Sequence, residues 1–321
     1  MLTMKGSTLR FVVAVCLSLA LAACAHRAVP ETEPTTDSAP GSEKPAPVPP
    51  PRERLNLPLP PPPPTPPKLT ASELRDLART CAAAIGKGKS ESALEAARRL
   101  REAVSDERLL EERDLEDLRP VWGLTLASLA RWDEVMEDSP PPTQARYATA
   151  MWHFVRASAF AAADRLIETE AEYNFLRSVI REPDLATKRF GDGSAAIDSL
   201  AVAERVVSSE IARLREVEED QLQFLTEATR VQDAAPAVAV PPIYPWPRLQ
   251  LAAALLRAGY AREAEFALRE QLAHNPTDGW ALWGLSLSLR VQGKKREAAR
   301  TDEEFRAAWK EADISPDGLY R

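Results

Sequence analysis

The side chains best suited to covalent or metal chemistry are few and scattered. The 321 residues hold three histidines, His26, His153 and His274, and three cysteines, Cys16, Cys24 and Cys81. None falls in an HExxH or CxxC spacing, and no GxSxG is present, so local signatures of a zinc site or a serine nucleophile are missing. Gly86-Lys87-Gly88-Lys89-Ser90 has the look of a phosphate-binding loop, but Ala83 stands where the first glycine is required. Helix-forming rather than strand-forming residues precede it, so it reads as a turn between two helices. Carboxylates are plentiful, yet along stretches such as Arg213 to Glu219 they read as a solvated helix face. No catalytic residue, metal ligand or cofactor site is assigned, and the chain is not expected to be an enzyme.

The thiols separate by context. Cys81 lies in LARTCAAAIG, a run of small and apolar residues, and is expected to be a buried, inert position on a helix. Cys24 closes a different segment. Lys5 and Arg10 precede an apolar run from Phe11 to Ala20, followed by Leu21-Ala22-Ala23-Cys24, with no acidic residue before the cysteine. A basic start, a short apolar core and small residues before a cut site are the logic of a secretory signal. The apolar run is about half of the ~20 residues that a bilayer span needs.

Leu21-Ala22-Ala23-Cys24 resembles the lipobox of bacterial lipoproteins. That resemblance implies cleavage after residue 23, acylation of the Cys24 thiol and a membrane anchor. Ala25 rather than aspartate follows the cysteine, which by the same resemblance points to the outer membrane and a periplasm-facing domain. Cleavage would leave 39 basic and 48 acidic residues, a net charge of −9. A chain this acidic has no general attraction to nucleic acid or anionic lipid surfaces. It would also retain Cys81 as its only cysteine besides the acylated one, so burial rather than a disulfide must hold the fold.

The elements that follow divide the chain. Residues 24–68 carry the anchor cysteine and a tether with 16 of the 28 prolines, including PVPPP and LPLPPPPPTPP. Proline lacks the amide donor and fixes φ, so a disordered, polyproline II-rich spacer is expected there, reaching on the order of 100 Å. From Thr70 onward Ala, Leu, Glu and Arg dominate and apolar residues recur at three and four, which predicts an all-α domain over 69–235. Leu166, Tyr173, Leu176 and Ile180 share one face. Leu200, Val207, Ile211, Leu214, Gln221 and Leu225 follow at near-heptad spacing, predicting one long helix near 194–230, N-capped by Ser194 and suited to a coiled-coil or dimer contact. Breaks are expected at Ser139-Pro140-Pro141-Pro142, around Pro183 and Gly191, and from Ala234 to Pro247.

The C-terminal section, 236–321, repeats at a period of 34. Trp246 recurs as Trp280, Leu251 as Leu285, Leu255 as Leu289, Gly259 as Gly293, and Arg262-Glu263-Ala264 as Arg296-Glu297-Ala298. This period resembles that of tetratricopeptide repeats. LQLAAALLRAGYAREAEFALREQLAHNP is similar to the repeat consensus down to Ala264 and Pro276. The resemblance implies an α-solenoid of helix pairs, with glycine in each turn and a small residue where paired helices approach. Asp278 would cap the second repeat, and a last helix through Phe305, Ala308, Trp309 and Ala312 would cover the open end. Upstream the pattern is degenerate: Gly88 stands five residues before Ala93, and Ala130 occupies a turn-glycine position.

In that family the first helix of each repeat lines a concave groove. The groove positions here are Trp246, Leu249, Trp280 and Trp283, with Arg257 and Arg290 further along the same helices. Indoles and guanidinium groups suit an extended peptide or an acidic terminus. The same tryptophans could instead pack against a preceding helix. The expected function is therefore a lipid-anchored scaffold for an envelope protein partner, in envelope assembly or cell-wall synthesis. A glycan-acting enzyme with carboxylates in the helical middle and a self-associating structural protein are the alternatives.

Overall fold

The computed structural model describes residues 68–235 and 247–320. The signal segment, Cys24, the proline-rich tether and Trp246 lie outside these. Among the described residues the fold is entirely helical, with one isolated antiparallel bridge, Arg189 to Ala195, and no strand. No described helix is long and apolar enough to cross a membrane.

Twelve of the helices form six antiparallel pairs in chain order: α1 (Ala71–Gly86) with α2 (Ser90–Ala103), α4 (Val121–Ser128) with α5 (Trp132–Glu137), α6 (Arg146–Ala162) with α7 (Leu166–Ile180), α9 (Ala196–Leu214) with α10 (Glu218–Ala234), α11 (Pro247–Arg257) with α12 (Ala261–His274), and α13 (Gly279–Val291) with α14 (Lys295–Ala308). Short helices α3 (Asp106–Glu111), α8 (Pro183–Thr187) and α15 (Asp317–Tyr320) fill out the connections and the end of the chain. The domain begins at a capping box: Thr70 Oγ1 accepts from the Glu73 amide at 3.3 Å, while the Thr70 amide donates to Glu73 Oε2 at 2.7 Å. This satisfies two otherwise orphaned donors at the start of α1.

All six pairs turn the same way. One residue, at Gly88, Ala130, Asp164, Glu216, Gly259 and Gly293, takes positive φ, from 54° at Ala130 and Asp164 to 86° at Gly259. Its amide donates to the carbonyl three residues back, and the next amide to the carbonyl five residues behind it, as in Gly259 to Leu256 and Tyr260 to Leu255. This is the Schellman closure of a helix C-terminus, which satisfies the last carbonyls while reversing the chain. Five residues after each turn residue stands a buried side chain at the close approach of the pair: Ala93, Val135, Thr169, Gln221, Ala264 and Ala298. Gly86 to Ser90 is such a turn, as its sequence predicts.

Two expectations are corrected here. The heptad-spaced stretch near 194–230 is a helical hairpin, because Glu216 enters the left-handed region at φ 59° and reverses the chain. Leu200, Val207 and Ile211 owe their spacing to burial against α6 and α7 rather than to a coiled-coil seam. Ser194 is not the N-cap of α9, since Ala195 occupies that position and the Ser194 hydroxyl donates to Asp192 Oδ1 at 2.6 Å.

Two main cores hold the array. One joins α4 to α10, with Leu126, Met151, Phe154, Leu176, Leu200 and Val207 among its buried residues. The other places Leu74, Cys81, Ile85 and Leu100 of the first pair together with Leu249, Leu268, Trp280 and Leu285 of the last two. The first pair therefore packs on the last, and the array closes on itself. The expected end-covering helix is corrected accordingly: α14 is simply the second member of the last pair, and Trp309 and Ala312 lie beyond it.

Candidate functional site: the first-helix face of the last two pairs

Two of the residues predicted to line a groove are core residues. Leu249 is fully buried. Trp280 is 7% exposed, and its indole N–H donates to the Ile85 carbonyl at the end of α1, 2.9 Å away. Packing against another helix is thus the reading that holds for Trp280, with the twist that this helix is the first of the domain. Asp278 caps α13 as predicted, accepting from the Ala281 amide at 3.2 Å and from Gln271 Nε2 at 3.0 Å. Burial pushes its carboxyl up to about 6 despite those bonds.

Trp283, Arg290 and Arg257 remain partly or fully accessible. Trp283 is half-buried, with its ring 5.1 Å from Phe305 and the Arg290 guanidinium 5.8 Å from its centroid. Its indole nitrogen is buried without a hydrogen-bond partner among the described residues. Exposed Arg290 pairs with Asp302 at 2.6 Å, and the same carboxylate accepts from the Ser286 hydroxyl. Arg257, exposed at the end of α11, donates to the Leu319 carbonyl at 3.4 Å.

Residues 309–320, of which sequence patterning marked only Trp309 and Ala312, as part of an end-covering helix, cross this face. Trp309 rests on Gly88 and Gly279, whose missing Cβ atoms leave room for its ring, and meets Trp280 edge-on at 5.4 Å between centroids. The Asp313 amide donates to the Gly88 carbonyl at 3.0 Å. Its carboxylate accepts from the amides of Ser90 (2.7 Å) and Glu91 (3.1 Å), capping α2 from the far end of the chain. Lys89 pairs with Glu311. Within Gly86–Ser90 the Ser90 amide is thus taken by a carboxylate of the same chain, while those of Lys87, Gly88 and Lys89 bond to carbonyls of α1. Beyond this clasp, Tyr320 lies over Gly284, and its hydroxyl donates to the Trp280 carbonyl at 2.9 Å.

A second polar constellation lies on the middle pairs. Arg156 stacks between Trp152 and Phe160, 4.6 and 5.5 Å from their centroids, at i, i+4 and i+8 of α6. Glu172 of α7 takes hydrogen bonds from Arg156 Nε at 2.8 Å and shares one with His153 Nδ1 at 2.6 Å. Burial opposes ionisation of Glu172, but these bonds hold its carboxyl below the usual range. Beside it Asp138 faces Arg101 at 2.7 Å and Arg119 at 3.9 Å, around a cavity of about 20 Å³ that Trp152 and Arg156 also line. Such a cavity holds about one water. Arg156 thus ties α6 to α7 and Arg101 ties α2 to the end of α5, where the Trp152 indole N–H also donates to the Asp138 carbonyl at 3.2 Å. Trp152, Arg156 and Phe160 were missed in the sequence, though their i, i+4, i+8 spacing is a signal that could have found them; Glu172, from another helix, leaves no such signal.

Cys81 is the buried thiol expected. Its sulfur is 3.0 Å from Thr125 Oγ1, and burial pushes the thiol up to about 11, which keeps it a protonated, poor nucleophile.

Comparison with protein-family models, curated proteins and solved structures yields no match.

Proposed function

We propose that the chain is a lipid-anchored scaffold of the bacterial cell envelope, whose tetratricopeptide-type array binds a protein partner in envelope assembly or cell-wall synthesis. The recurrence of one helix-pair unit carries the reading. Besides Gly259 and Gly293, the turn residues Ala130 and Asp164 are 34 apart, the period of that repeat class. Arrays of such units present extended surfaces for other proteins. The N-terminal Leu21-Ala22-Ala23-Cys24 supplies the anchor in this reading, through acylation of Cys24, and the prolines of 25–68 supply a spacer. The outer membrane, with the domain facing the periplasm, is the expected location.

Two measurements test it. Cells expressing the chain with labelled palmitate should incorporate label, and Cys24→Ala should lose it and move the protein to the soluble fraction. Crosslinking in intact cells should capture an envelope protein, and Trp283→Ala with Arg290→Ala should lower its yield several-fold while the protein stays folded by circular dichroism. A lipid-free wild type overturns the anchor, and a capture indifferent to the double variant overturns this face as the docking surface.

A further inference from the structure

We propose that the notch over Gly284, between α11 and α13, is a binding site for a short peptide turn carrying a tyrosine, and that the chain's own residues 315–320 occupy it. This deepens the scaffold reading and rests on it only for the identity of an outside partner.

The notch has defined chemistry. A Cβ at Gly284 would overlap the ring and hydroxyl of Tyr320, so the missing side chain is what admits the phenol. The Trp280 carbonyl accepts the phenolic hydrogen at 2.9 Å. Arg257 holds the backbone one residue earlier through the Leu319 carbonyl. Ring, hydroxyl and main chain are thus each read by a separate group, and phenylalanine in place of tyrosine would leave the Trp280 contact unmade.

The occupant is short rather than loose. α15 is four residues long and none of them is fully buried, but Pro316 before it is, and Leu319 and Tyr320 pack against the core of the first and last pairs. Upstream, Trp309 and Asp313 are fixed by the glycines and by the amides of α2, so release of 315–320 leaves that clasp in place. A six-residue segment at the edge of one core opens locally at less cost than unfolding of the whole domain. Its release would expose the first-helix face of the two most regular pairs to an outside peptide of the same chemistry. The segment thereby acts as a competitor at a concentration set by its tether to the clasp.

The probe is a fluorescent peptide of residues 314–321, added to the full chain and followed by anisotropy. Wild type should bind it weakly, because the notch is filled in cis. Tyr320→Ala should bind it at least tenfold more tightly, and a Tyr320→Phe peptide should bind less tightly than the native one. Adding Gly284→Ala to Tyr320→Ala should abolish binding while the thermal melt stays within a few degrees. Equal binding by all three proteins, or binding that survives Gly284→Ala, overturns the assignment. A concentration-dependent dimer of wild type in sedimentation, lost with Tyr320→Ala, would overturn occupancy in cis in favour of exchange between copies. Failure to capture an envelope partner in cells would count against the scaffold reading alone.

Discussion

Asp278 combines two roles whose demands conflict. As N-cap of α13 it accepts from a helix N-terminal amide, which favours the carboxylate. Its near-complete burial disfavours charge more strongly, and its carboxyl is raised to about 6. A carboxyl raised on folding binds more protons folded than unfolded between its ordinary value near 4 and 6. Its contribution to stability therefore improves as pH falls from 7 through 6 and levels off near 4. Asn caps a helix about as well as Asp. Asp278→Asn should thus raise the melting temperature at pH 8 and leave it nearly unchanged at pH 4.5, as scanning calorimetry at the two pH values will show. The capping role was legible from Asn275-Pro276-Thr277-Asp278 because a cap is local. The burial was not, because it depends on packing with α12, where Gln271 bonds the carboxylate.

At the scale of the element, the recurring turn explains which pairs were visible in advance. Gly88, Gly259 and Gly293 announce a left-handed turn, since glycine reaches positive φ without steric cost. Ala130, Asp164 and Glu216 adopt the same conformation with a Cβ, and two of those turns escaped or misled the sequence reading. At Ala130 the position was recognised as that of a missing glycine. At Glu216 nothing local marked the reversal, and heptad-like apolar spacing ran across it. Residues other than glycine in this region bear a penalty of about 1–2 kcal/mol, Asp and Asn less than others. Part of the gain on substitution is offset by glycine's freedom in the unfolded chain. Ala130→Gly and Glu216→Gly should each stabilise the domain by about 0.5–1 kcal/mol in urea titrations, and Asp164→Gly by less. Destabilisation by either of the first two would mean the turns are held by contacts beyond the backbone.

Across the whole molecule the central feature is closure. Composition and periodicity indicated an all-helical array, and the last two pairs were correctly phased from their 34-residue period. What no periodicity encodes is that the end of α1 receives a hydrogen bond from an indole 195 residues away. The tryptophan that repetition marked as a groove residue is instead the joint between first and last pairs. Gly279→Ala tests this joint. At the start of α13 alanine gains about 1 kcal/mol in helix propensity. Its methyl, however, meets the Trp309 ring, which is pinned by Gly88 and by its own N–H bond of 3.0 Å to the Ile314 carbonyl. Overpacking of this kind costs about 1–3 kcal/mol. The variant should melt lower than wild type, and hydrogen exchange should accelerate in α1 and the α1–α2 turn more than in α6 and α7. Uniform acceleration would contradict a localised joint.

The clasp also fixes when the fold can be finished. An open array can consolidate pair by pair as it is made, each new unit covering the last. Here the apolar face of α1, with Leu74, Ala78 and Ile85, finds part of its covering only in residues near the end of the chain. The indole that bonds the Ile85 carbonyl lies 195 residues further on, so that face stays partly uncovered however the intervening pairs form. The closing contact is thus long-range along the chain, the kind that slows folding, where an open array relies on neighbours alone.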